Sequence, residues 1–303
     1  MYKLFHNKPQ FKNQLHLHFL VFIAGFTAIL GELISINAIS LVWYRMIIAS
    51  VLMLIYILIR KVKLKINPKA LLRLSIAGII IALHWITFFG AINQSNISIT
   101  LAMFSTGAFF ASFIEPFIYK RAIIWYEIVF GIIVIIGVFI ITQSEIKYLT
   151  GILLGISSAF LSSLFAVLNG SFLKQHTATV ISFYEFLSGV LFISIYIIIF
   201  GDGFSNSFFK ISLSDFKYLF ILASICTAYS FIASVYIMKA ISPYTVVLTY
   251  NLEPVYGIAM AMILFPEKEK MSANFYYGAI VIICVVILNA VLKHNRKVKR
   301  DMS

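Results

Sequence analysis

The sequence predicts an all-α integral membrane protein of ten transmembrane helices arranged as two inverted five-helix repeats. Three observations point there. Hydrophobic residues make up 61% of the 303 and charged residues only 12%, with a mean hydropathy of +0.98. That leaves too little polar surface for a soluble globule. The apolar residues fall into ten runs, each close to the roughly 20 residues that cross a bilayer. The lysines and arginines gather in alternate loops, as they do when one side of a membrane is cytoplasmic.

The runs lie near 16–33, 37–59, 71–92, 97–119, 123–142, 150–173, 179–200, 216–240, 244–265 and 273–292. Gly31 and Glu32 cut the first one short. The basic stretch from Met1 to Gln14 precedes it and no small-residue cleavage site comes after it, so the run reads as a retained first helix. With the N-terminus in the cytoplasm, Lys147, Lys210, Lys217, Lys268 and Lys270 fall outside. Arg45 lies within the second helix, and the other eighteen of the 24 basic residues fall inside. This bias favours an even helix count with both termini cytoplasmic. It also accounts for the net charge of +13 through anionic lipid headgroups, without a nucleic-acid partner. Cys226 and Cys284 sit in apolar runs with no CxxC or Cys/His neighbour, which predicts buried packing residues.

The two halves repeat. Trp43-Tyr44-Arg45-Met46 matches Phe183-Tyr184-Glu185-Phe186 at an offset of 140. Gly107, Lys120 and Gly131 match Pro254, Glu267 and Gly278 at an offset of 147. Five helices per half is odd, so the copies face opposite ways, an architecture that recurs in secondary transporters with the site at the repeat interface. The expected organisation is a basic cytoplasmic tail (1–15), a first repeat (16–142), a second (143–292) and a second basic cytoplasmic tail (293–303). Gly151, Gly155, Ala159 and Ser163 form a small-residue stripe on the sixth helix, expected to pack closely on a neighbour.

The stretch Tyr250-Asn251-Leu252-Glu253-Pro254 puts a carboxylate and a proline inside an apolar run. Proline has no amide hydrogen, so a kink is expected there, with the Tyr250 carbonyl freed. Unpaired backbone and ionisable groups at membrane depth belong against protein or a watery cavity. At about 1.5 Å per residue, Glu253 lies near the midplane, where a carboxyl can exchange a proton in each cycle. Thr106 stands at its repeat-equivalent position. Arg45 and Glu185 are repeat-equivalent opposite charges, but inversion puts them in different leaflets, roughly 10 Å apart in height. Arg45 therefore either binds a substrate carboxylate or headgroup or snorkels to the interface. Trp85 is a cavity wall or a packing residue. His84 lacks a second ligand at helical spacing and reads as hydrogen-bonded rather than metal-bound. Tyr229 and Ser230, with Tyr250 and Asn251, fall near the midplane and can line a ligand cavity. Glu115 and Glu127 read as solvated charges near the inner face.

The two halves, the glycines Gly131, Gly137 and Gly278, Ala240-Ile241 leading into Asn251-Leu252-Glu253-Pro254, and the later Glu267 together resemble the EamA-type family of the drug/metabolite transporter superfamily, over nearly the whole chain. The resemblance implies ten helices in two inverted repeats that carry small metabolites such as amino acids across the bacterial inner membrane. In the first half Thr106-Gly107 stands in place of the proline-containing site, and Lys120-Arg121 in place of a Gly-Glu pair.

The expected function is a secondary transporter that exports such metabolites by alternating access around a midplane cavity, with a coupled proton. No phosphate-cradling glycine loop, HExxH or nucleophile elbow is present, so neither enzyme activity, cofactor nor metal is expected. Two other readings stay open at this point. One is a non-transporting structural or sensory membrane module; the other is a membrane enzyme that acts on lipid-linked substrates through the basic loop 60–73.

Overall fold

The computed structural model describes residues 8–120, 122, 124–172, 175–237, 249–250 and 252–302. Among these the chain is helical, without a strand. The α-helices are α1 Lys8–Leu33, α2 Ala38–Ile59, α3 Pro68–Gln94, α4 Ile97–Phe104, α5 Gly107–Tyr119, α6 Trp125–Ser144, α7 Leu149–Phe172, α8 Ala178–Phe200, the single turn α9 Asn206–Phe209, α10 Leu213–Ala223, α11 Ser230–Ile237, α12 Glu253–Leu264 and α13 Ala273–Met302. Eight segments among the described residues are long and apolar enough to cross a membrane, the first at Lys12–Leu33 and the last at Leu213–Ser234. The chain is therefore a multi-pass membrane protein. Two shorter apolar helices, Glu253–Leu264 and Ala273–Asn289, fall in the ninth and tenth runs.

Helix ends trace to capping chemistry that hydropathy does not register. Asn67 accepts the Ala70 amide and Pro68 occupies the first turn, where its missing N–H breaks no bond. As a result α3 begins before its apolar run does. Asn37 caps α2 in the same way. At the other end of the chain α13 continues past Leu292 through the lysines and arginines, which are good helix formers in water.

The fourth run is not one helix. It stops at Phe104 and restarts at Gly107. The Ser105 hydroxyl donates to the Leu101 carbonyl at 3.0 Å and the Thr106 hydroxyl to the Met103 carbonyl at 2.6 Å. Such side-chain bonds give the backbone an alternative to the helical ladder. The ninth run is also interrupted. Where the sequence predicts a kink in a continuous helix, Glu253-Pro254 instead forms the first turn of α12, the position where proline disrupts least. By the 147-residue offset, 106–107 aligns with 253–254, so the two interruptions fall at matching places in the halves.

The central helix α3 packs on α7 and α8 and touches α1, α2 and α4. The small-residue stripe of α7 lies against it and its successors. Gly151 meets Ser95, Gly155 meets Met103, and the Ser163 hydroxyl donates to the Gly107 carbonyl at 2.8 Å, the close packing expected. On the other side of the bundle α1 packs on α12. A Cβ added at Gly25 would lie 3.0 Å from the Gly257 nitrogen and 3.1 Å from the Glu253 carbonyl oxygen. The bare backbone at Gly25 lets the start of α12 approach α1. The apolar interior between these helices includes Leu20, Met46, Phe89 and Phe186, all under 2% exposed.

Candidate functional site

Helix α2 packs on α3, α8 and α10, which places Arg45 inside the bundle at 3% exposure. It does not snorkel. Its Nε donates to the Thr227 hydroxyl at 2.8 Å, and its guanidinium carbon sits 3.9 Å from the centre of the Trp85 ring. Nη1 is buried and has no hydrogen-bond partner among the described residues. Glu253 and Cys226 are near enough to act on the guanidinium through space. Trp85 is buried and packs on Phe186 (5.4 Å between ring centres) and Phe231 (6.4 Å), which also pack on each other at 5.1 Å. One cation, one carboxylate and an aromatic wall thus converge from α2, α3, α8, α11 and α12.

Thr227 reaches this cluster because α10 and α11 are joined by a π turn, Ser224–Tyr229. A π turn holds one more residue than an α turn and rotates the rest of the helix by roughly 100°. The hydroxyls of Thr227 and Ser230 donate to the carbonyls of Leu222 and Ile225, each five residues back. Uniform 3.6-residue spacing points Tyr229 inward. With the extra residue Tyr229 is 41% exposed, its hydroxyl paired with His16 Nε2 at 2.6 Å, and it takes no part in the central cluster. Thr227 was invisible to hydropathy because nothing in Ser224-Ile225-Cys226-Thr227-Ala228-Tyr229 announces a π turn.

The other residues singled out from sequence divide clearly. Glu253 is half-buried in the first turn of α12, and Pro254 beside it is buried. The Tyr250 hydroxyl bonds the Ser234 hydroxyl at 2.8 Å. Asn251 lies outside the described residues, as do Ala240 and Ile241. His84 is buried against Ser158, with its Nδ1 2.8 Å from the Ser158 hydroxyl and 3.0 Å from its carbonyl oxygen, and its ring stacks on Phe104. It ties α3 to α7 at the edge of the Arg45 cluster, its ring centre 6.5 Å from that of Trp85 and within reach of the Arg45 charge. Thr106 is buried, its hydroxyl committed to Met103.

Glu185 is fully buried, and neither carboxyl oxygen has a hydrogen-bond partner among the described residues. Asn169 is the side chain that approaches it, and no ion pair links it to Arg45. Its backbone carbonyl presses on Gly78, where a Cβ would overlap it. Two further expectations fail. Glu127 is 2% exposed rather than solvated, facing a small cavity shared with Ser112 and Asn289. Cys284 is exposed on the bundle surface, whereas Cys226 is buried as expected.

A model of the EamA-like transporter family matches this chain twice, over residues 15–143 and 149–291. Arg45 and Trp85 belong to the first matched segment, Thr227 and Glu253 to the second. A solved crystal structure, described only as that of a protein, superposes with a TM-score of 0.63 over 92% of this chain and 96% of its own, at 13% sequence identity. That likeness is one of fold. None of the curated proteins matches the chain.

Proposed function

The chain belongs to the EamA-like transporter family, and from that premise we propose that it is a secondary transporter exporting small metabolites such as amino acids across the bacterial inner membrane. In this reading ten helices form two inverted repeats, 16–142 and 143–292, with the basic tails 1–15 and 293–303 in the cytoplasm. The repeats rock about a midplane site, exposing it to each side in turn. The observation that carries the proposal is the central cluster drawn from both matched segments: a buried arginine with an unpartnered nitrogen, a nearby carboxylate and an aromatic wall. Intramembrane charges are costly and cluster on substrate and ion pathways. The matched interruptions at 105–106 and ahead of Glu253 support it further, since broken helices line such sites. Glu253 is the group assigned to carry a coupled proton.

Counterflow in proteoliposomes with a panel of amino acids tests the proposal. Glu253→Gln is expected to reduce proton-coupled flux while leaving the melting temperature unchanged. Flux with the same rate and the same pH dependence in that variant would remove Glu253 from the mechanism.

A further inference from the structure

Arginine offers five N–H groups in a rigid planar fork. In Arg45 the Nε–H is taken by Thr227, and one face is covered by the Trp85 ring at 3.9 Å. The Thr227 hydroxyl gives its own hydrogen to the Leu222 carbonyl at 2.7 Å, so it faces Nε as an acceptor. These two contacts fix the guanidinium in rotation and in plane. They leave the edge formed by Nη1 and Nη2. Nη1 is buried, and among the described residues no carboxylate forms an ion pair with this edge.

A guanidinium held this way suits two parallel bonds to a planar oxyanion. The surroundings, Trp85, Phe89, Phe186 and Phe231, favour a single negative charge carried on an apolar body, because each further charge brought here adds a desolvation cost. We infer that Arg45 is the oxyanion-binding group of the central site, that Thr227 and Trp85 are its positioning residues, and that the compound it takes is a small organic carboxylate with an apolar or aromatic body. This rests on the reading of the central cluster as the transport site. The π turn then has a definite role, since it is what turns Thr227 toward Nε.

The test uses the purified full chain with Trp43→Phe and Trp125→Phe, so that Trp85 is the one tryptophan left of three. Its fluorescence is followed during titration with benzoate and, separately, with the neutral analogue benzamide. Benzoate is expected to give a saturable change that benzamide does not. Thr227→Val should weaken benzoate at least about tenfold, the scale of one charge-assisted hydrogen bond. Thr227→Ser, which keeps the acceptor, should stay within about twofold of the parent on the same scale. Arg45→Lys keeps the charge but not the fork and should also lose about tenfold or more. A thermal melt of each variant checks folding.

Equal responses to benzoate and benzamide, or no benzoate response, overturn the oxyanion assignment. Equal affinities in Thr227→Val and Thr227→Ser overturn the positioning role. A response to phosphatidylglycerol micelles in place of benzoate overturns the carboxylate assignment in favour of a lipid phosphate. Because the readout is binding, saturable binding in a protein that moves nothing in proteoliposomes would defeat the transport reading and leave the anion site standing.

Discussion

Two buried polar regions of this molecule treat charge in opposite ways. At the end of the bundle where α1, α3 and α6 finish and α4 and α13 begin, three carboxylates are almost fully buried and each accepts hydrogen bonds. Glu269 accepts the backbone amides of Ile97 and Ser98 at 3.0 and 2.8 Å, the free donors at the head of α4. Glu145 accepts the Ser272 amide at 3.0 Å, just ahead of α13. Asp215 accepts the amide and hydroxyl of Ser35 at 2.7 and 2.8 Å. In the centre Arg45 Nη1 and both Glu185 oxygens have no such partner among the described residues. Burial without a partner is expensive, so a charge held that way is kept for something other than stability. Glu269 and Asp215 fasten the two matched segments together, whereas the unsatisfied centre is where a ligand or a proton has something to gain.

The comparison breaks most visibly at Glu269. Glu269→Ala strands two helix-head donors at once and should cost about 3 kcal/mol or more. Melting in detergent should then fall by roughly 5 °C or more. Glu185→Leu at the centre should leave the melt unchanged or raise it by an amount worth about 1 kcal/mol, because it removes a desolvated carboxyl that lacks a partner. If both variants lose stability alike, satisfied and unsatisfied charges are not distinct in kind.

Gly78→Ala should come next, at about 1–3 kcal/mol. It forces a methyl group into the Glu185 carbonyl and pushes α3 off α8. The melt of this variant should be lower than that of an alanine placed at Gly90, where the new methyl would meet only a Leu154 methyl at 3.5 Å.

The smallest effect belongs to the Lys268–Glu32 pair. The two groups are 2.6 Å apart, but Lys268 is 68% exposed, so Lys268→Ala should cost less than about 0.5 kcal/mol. The hydrogen bond and charge of Glu32 hold the Lys268 ammonium above the ordinary value of 10.5. A raised lysine contributes fully below its unfolded value and loses that contribution as pH rises through the folded one. The difference in melt between Lys268→Ala and the parent should therefore stay constant from about pH 7 to 9.

Much of the scaffold was legible in the chain, and the reasons differ by element. The run 37–59 is apolar but for Arg45 and a few small polar residues, and α2 occupies it from Ala38. The glycines at 137 and 278 do bring α6 against α13. Glu269, however, sits in Glu267-Lys268-Glu269-Lys270, which reads as a solvated loop, and its partners are 172 and 171 positions away. No local period marks such a contact. Thr227 was missed for a different reason, because one extra residue in the π turn changes which face looks inward. Arg45 and Glu253 stood out because charge inside an apolar run is rare. Sequence could set the two in one membrane, but only the fold sets Arg45 against Trp85 with Glu253 near enough to act on it.

The measurement that tests the central claim most directly is labelling of the native Cys226 thiol, the neighbour of Arg45, by a water-soluble maleimide. It is made in intact membranes with Cys284→Ala removing the exposed thiol. A cavity that opens in turn to each side predicts that Cys226 reacts in native membranes, slowly because it is buried at rest, and that benzoate slows it further. Reaction only after denaturation in detergent would mean that water never reaches the centre of the bundle, and would contradict a transport site there.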